Sequence, residues 1–134
     1  MSENEAILFA NEAFYHAFRG CDLEAMGEVW ASEAFVTCIH PGWDAVNGRQ
    51  DVLDSWVSIM AGGNAPDIYC RGATAHLYDN TATVICFEEI SGSFLIATNI
   101  FVREGGRWKM VHHQAGPTNA TAPPDEEPEP NKFN

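Results

Sequence analysis

A chain of 134 residues, 46% of them hydrophobic, can bury one domain's core and is short for two. Nineteen acidic side chains against seven basic ones give a formal net charge of −12. A nucleic-acid partner, which needs Lys and Arg clustered against phosphate, is excluded, because the few cations here are scattered.

No stretch has the length of a membrane-crossing helix, and the N-terminus lacks the basic-then-apolar pattern of a secretory leader. The expected location is the cytoplasm. Cys21, Cys38, Cys70 and Cys86 show no C-x-x-C spacing, so they read as four reduced thiols.

Ser2 and Glu5 have the spacing of a capping box. Ile7, Ala10, Phe14, Ala17 and Phe18 follow at helical spacing, and Gly20 is a natural stop. Asp22 is placed to cap a short second helix carrying Leu23, Met26 and Trp30. A brief β-like run, Phe35 to Ile39, leads into the loop His40-Pro-Gly-Trp43. Asn47 and Gly48 introduce a third helix with Val52, Trp56, Ile59 and Met60 on one face, and Gly62-Gly63 ends it.

Strands take over from Pro66. One runs to about Tyr78, where Asp79-Asn80 makes a hairpin turn. Thr83 to Ile90 and Phe94 to Arg103 follow, separated by Ser91-Gly-Ser93. Glu104-Gly-Gly106 turns into a last strand ending at Pro117. Val84-Ile-Cys-Phe87 and Ile100-Phe-Val102 are apolar on both faces. That predicts a sheet covered by helices on one side and by a second subunit on the other. The fold class is α+β, three helices before an antiparallel meander. Residues 1–118 form the domain; 119–134, rich in proline and acid without aromatic anchors, read as a disordered tail.

Alternation along the last strand puts His112 and Gln114 on the face of Trp108 and Met110, with His113 on the other. His112, whose ordinary pKa lies near neutrality, is the expected acid or base of a mostly apolar pocket. His113 is expected to be structural or interfacial. His40, held extended before Pro41, is the second proton-handling or orienting candidate. Trp43 beside it either meets a ligand or packs on the core. By parity Glu88 shares the side of Val84 and Cys86; buried, it needs a partner or a raised pKa, and exposed, it is a solvated carboxylate. Asn99 is a buried amide that orients either a ligand or a histidine, or ties strands together. Trp56 and Phe101 complete the expected apolar lining.

Neighbouring strand residues cannot easily converge on one ion, so His112-His113 does not read as a metal site, and no H-x-H or H-E-x-x-H is present. There is also no G-x-S-x-G elbow, dinucleotide fingerprint or P-loop. No cofactor is expected.

The order of elements resembles the SnoaL-like branch of the nuclear transport factor 2-like superfamily over about residues 5 to 118. Three patches carry it: His40 to Trp43 with Gly48-Arg49, Ala97 to Phe101, and Trp108 to Pro117. The resemblance implies a cone-shaped fold, a curved sheet wrapped around helices and enclosing a cavity, and homodimers through the outer sheet face. Ketosteroid isomerases, scytalone dehydratase, polyketide cyclases and the association domain of calcium/calmodulin-dependent kinases share that fold without sharing a mechanism. Val111-His112 matches the family's Val-His-x-His strand, but Gln114 replaces its second histidine. Neither the Tyr/Asp set of the isomerases nor the Asp-Arg-Asp set of the epoxide hydrolases has a counterpart. The expected function is binding of a small apolar or aromatic molecule, with cofactor-free isomerisation, dehydration or cyclisation as its enzymatic form. The alternative is a non-catalytic binding or dimerisation module.

Overall fold

The structure, a computed structural model, describes residues 1–124. Its elements in chain order are α1 (Glu3–Arg19), α2 (Leu23–Val29), β1 (Thr37–Ile39), β2 (Val46–Asn47), α3 (Arg49–Met60), β3 (Ile68–Tyr78), β4 (Thr81–Ile90), β5 (Ser93–Glu104) and β6 (Arg107–Pro117). A single 3₁₀ turn, Ala61–Gly63, follows α3.

Local chemistry sets the helix ends. The Ser2 hydroxyl oxygen accepts the Glu5 N–H at 3.1 Å, while Glu3 and Glu5 sit at the positive end of the α1 dipole. Asp22 accepts the Ala25 N–H at 3.0 Å and starts α2. α3 begins at Gly48, whose φ of 89° is open to glycine and strained for other residues.

The six strands form one open, curved sheet in the order β2-β1-β6-β5-β4-β3. All neighbours are antiparallel except β1 and β6, which run parallel. The β-like run expected from Phe35 is shorter, because Phe35 is 71% exposed and pairing starts at Thr37. β2 was not expected, and it occupies the residues read as the approach to the third helix.

Strand alternation along β4 turns Ala82, Val84, Cys86 and Glu88 inward against the helices. Ile85 and Phe87 point outward, beside Ile96 and Ile100 of β5. The core packs Phe14 edge-on to Tyr15 at 4.8 Å and to Trp56 at 5.4 Å, between α1, α3 and the sheet.

Two strands carry an extra residue. In β3 the register shifts between Arg71 and Thr74, around Gly72. In β6 Phe101 pairs with Met110 but Ile100 pairs with His112, so Val111 is a bulge. The expectation that His112 and Gln114 share the face of Met110 is therefore corrected. Beyond the bulge His113 and Ala115 are the buried residues, and Gln114 is exposed.

Of the segment read as a tail, residues 125–134 lie outside the described residues. Ahead of them Ala122 is buried, and Pro123 lies so close to Gly72 that a Cβ there would meet it at 3.3 Å.

Candidate functional site

A cavity of about 220 Å³ opens between α1, α3 and one end of the sheet. Its polar wall is His40, Glu88 and His113; Phe18, Trp56, Ile59, Ile68, Ile90 and Leu95 supply apolar surface, and Trp43 stands at the rim, 46% exposed. The volume is below the range typical of drug-sized ligands, so it suits a compact one- or two-ring molecule.

Glu88 reaches the wall by the regular alternation of β4 and is 2% exposed. Its Oε2 accepts the Tyr15 hydroxyl at 2.7 Å. Burial pushes its pKa up to about 7, and the Tyr15 hydrogen bond holds it from rising further. The Tyr15 hydroxyl, itself buried, is raised well above its ordinary value by burial and by the adjacent carboxylate.

His113 packs its ring 4.8 Å from Phe14 and 5.9 Å from Trp56. Its Nε2 is 3.8 Å from Glu88 Oε2, and its Nδ1 is 2.5 Å from Asn99 Oδ1. Burial, then the proximity of His40 and His112, pushes its pKa down to about 3. The histidine and the carboxyl are thus a neutral pair when Glu88 holds its proton, and no ion pair forms between them.

His40 is held by Ser55. The Ser55 hydroxyl donates to the Val52 carbonyl at 2.6 Å, so its oxygen accepts the His40 Nε2–H at 2.9 Å. Burial pushes His40 down to about 4. Trp43 and Trp56 meet its ring edge-on at 4.7 and 4.6 Å. Cys38, next to it, is pushed up to about 12 by burial and by Glu88, which makes it an inert thiol.

The expected site residues are thus divided. His40, Glu88, Trp43 and Trp56 come together at the cavity. Asn99 sits behind His113 and not on the wall, and Phe101 is buried in the core away from it. His112 is on the outer face, its Nδ1 2.6 Å from the Thr37 hydroxyl. His113, read from the sequence as structural, takes the inward place.

Asn11 and Tyr15 were also missed. They sit four residues apart on the otherwise apolar face of α1 formed by Ile7, Phe14 and Phe18, and two polar groups on a buried stripe were the available signal. The indole N–H of Trp56 has no hydrogen-bond partner among the described residues. Among those residues no three His, Cys, Asp or Glu side chains gather to hold a metal ion, and no helix is long and apolar enough to cross a membrane.

Known proteins share this arrangement of elements. A proposed dehydratase of the NTF2-like family from Streptomyces avermitilis is 30% identical, with a TM-score of 0.80 over 88% of this chain and 97% of its own. A proposed calcium/calmodulin-dependent protein kinase type II association domain from Thiobacillus denitrificans is also 30% identical, with a TM-score of 0.74 over 82% of this chain and 93% of its own. The F-box protein SKIP8 of Arabidopsis thaliana is 28% identical over 112 residues, which are 82% of this chain but 48% of that protein. The chain therefore spans about half the length of that relative. A SnoaL-like domain model matches residues 7–119, and the chain belongs to this family within the NTF2-like superfamily.

Proposed function

We propose that the cavity binds a small uncharged molecule and moves a proton on it without a cofactor, with Glu88 as the acid/base group. The observation that carries this reading is a carboxyl buried on an apolar cavity wall with its pKa raised to about 7. A general base works best when its pKa lies near the working pH. Tyr15 holds Oε2, and the other carboxyl oxygen has no hydrogen-bond partner among the described residues, which leaves it to the substrate.

Glu88 takes a proton from a carbon made acidic by a neighbouring carbonyl and returns it elsewhere on the same molecule. The products are those of isomerisation, or of dehydration if the returned proton leaves with a hydroxyl. No Lys or Arg lines the cavity and both of its imidazoles are neutral near pH 7, so a carboxylate or phosphate ligand meets no compensating charge. The Streptomyces relative, named as a proposed dehydratase, agrees with this class of chemistry.

The test is deuterium exchange at the carbons flanking the ketone of 2-tetralone, followed by NMR in D2O. The wild-type protein is expected to accelerate exchange, with a rate that climbs through about pH 7 as Glu88 ionises. Glu88→Gln should lower it by roughly 10²–10⁴-fold, whereas His112→Ala should leave it unchanged. Full exchange by a folded Glu88→Gln protein would sink the reading.

A second reading concerns assembly. Ile85 is 38% exposed on the outer face, beside Ile96, Ile100 and the Phe87–Phe94 ring pair. Two copies covering this face would bury it, and the Thiobacillus relative is named as an association domain. Sedimentation is expected to give a dimer for the wild type and a monomer for Ile85→Glu/Ile100→Glu; a wild-type monomer would refute the assembly.

A further inference from the structure

Behind the cavity wall, hydrogen-bond donors and acceptors can be counted one by one. Tyr15 spends its only proton on Glu88 Oε2, so its oxygen is an acceptor toward Asn99 Nδ2, 3.1 Å away. Asn11, whose Nδ2 donates to Cys70 Sγ at 3.4 Å, turns its Oδ1 to the same Asn99 Nδ2 and accepts from it at 2.8 Å. Two acceptors therefore fix which end of the Asn99 amide is nitrogen. The oxygen is left facing His113 Nδ1 at 2.5 Å, a contact that requires a proton on Nδ1.

A neutral imidazole has one N–H. With that proton turned inward, Nε2 presents a bare lone pair on the cavity wall, 3.8 Å from Glu88 Oε2 and beyond hydrogen-bond range of it. A buried acceptor without a donor costs free energy until a ligand supplies one.

We propose that Asn99 is a positioning residue that holds His113 as its Nδ1–H tautomer, and that the resulting Nε2 acceptor selects ligands carrying a hydroxyl group. The hydroxyl selection rests on the cavity binding a small molecule, as inferred above; the tautomer does not. A carbonyl or ether oxygen set against Nε2 would face the lone pair with another lone pair and gain no bond there, while a ketone still binds with its oxygen elsewhere in the cavity. The preferred ligand is then an uncharged, compact molecule with a hydroxyl placed at His113 while its reacting carbon lies at Glu88.

The titratable groups placed against His113 are Cys38, its partner on β1, His40 from the loop after β1 and Glu88 from β4, with His112 adjacent in sequence; the Phe14 and Trp56 rings cover it. Burial keeps it neutral down to about pH 3, so the lone pair persists across the working range.

The experiment has two arms. Long-range ¹H–¹⁵N spectra of the ¹⁵N-histidine-labelled protein at pH 7 should show His113 Nδ1 protonated and Nε2 bare. Asn99→Asp keeps the acceptor oxygen and should keep that tautomer, while raising the pH at which His113 gains its second proton. Asn99→Leu removes the acceptor and should shift His113 to Nε2–H. A wild-type Nε2–H tautomer, or a folded Asn99→Leu protein with the tautomer unchanged, overturns the positioning role.

In the second arm tryptophan fluorescence follows binding of 2-naphthol and of 2-methoxynaphthalene, which lacks the donor. The wild type should prefer 2-naphthol by roughly tenfold, the worth of one hydrogen bond, and Asn99→Leu should erase the preference. Equal binding of the two by the wild type, or binding of neither, overturns the hydroxyl selection. Exchange of 2-tetralone, which depends on Glu88, separately decides whether the acid/base reading also falls.

Discussion

Two neighbours set the proton affinity of Glu88 in opposite directions: the dry wall disfavours its charge and the Tyr15 hydroxyl favours it. Removing the hydroxyl should let burial act alone. Tyr15→Phe is therefore expected to move the midpoint of the exchange-rate profile above about pH 7, by about one pH unit if the hydrogen bond is worth about 1.4 kcal/mol. A midpoint that stays put or falls would show that Tyr15 does not act on the carboxyl. Glu88 was legible in the sequence because β4 has no irregularity, so counting by two from Val84 gives the correct face. The same count failed in β6. Nothing in Met110-Val-His-His113 announces that Val111 is left unpaired, since a bulge is imposed by the partner strand and not by local propensity. The inward place of His113 was missed at that single step, while His40 and Trp56, whose loop and helix carry no such step, do lie on the cavity wall.

At the scale of elements, the connection from α2 to β1 is clamped by two charged side chains. The Arg49 guanidinium donates to the carbonyls of Gly27, Trp30 and Ala31 at 2.9, 2.8 and 2.9 Å. The Glu104 carboxylate accepts the N–H groups of Ser32, Glu33 and Ala34 at 3.0, 3.1 and 2.8 Å. Backbone groups that neither helix nor sheet satisfies are thus paired by α3 on one side and the β5–β6 hairpin on the other. Slight burial nudges the Glu104 carboxyl up, but these N–H bonds hold it below its ordinary value. Its stabilising effect is present above the ordinary carboxylate range and is lost as pH falls through the lowered value. Arg49→Met should lower unfolding free energy by about 2–4 kcal/mol, measured by urea titration, because several charged hydrogen bonds disappear together. A loss near zero would mean that the carbonyls find other partners. The order and type of the long elements were readable from spacing and turn residues. β2 was not, because a two-residue strand exists only through its pairing with β1.

Across the whole molecule, acidity acts through three buried groups with opposed signs. His40 and His113 have lowered pKa values, so the unfolded chain binds their protons first, and stability falls as pH drops from 6.5 towards 4. Glu88 is raised, so its contribution is fully present below 4.5 and is lost as pH rises through about 7. Between pH 6.5 and 4.5 two histidines oppose one carboxyl, and a net loss of stability on acidification is expected. Glu88→Gln removes the opposing effect, so its melting temperature should fall more steeply over that interval than the wild type's. Calorimetric melts at a series of pH values compare the two slopes directly, and a shallower slope in the variant would contradict the assignment.

The bulge at Val111 also governs how this strand can change length. Because Met110 pairs with Phe101 and His112 with Ile100, the residue between them could be deleted without altering either pairing. A shortened strand would still deliver the second imidazole to Asn99 and leave the first outside. Descendants that gain or lose this one position would keep the same inward histidine under a different spelling, and comparing their histidines column by column would match the wrong pair.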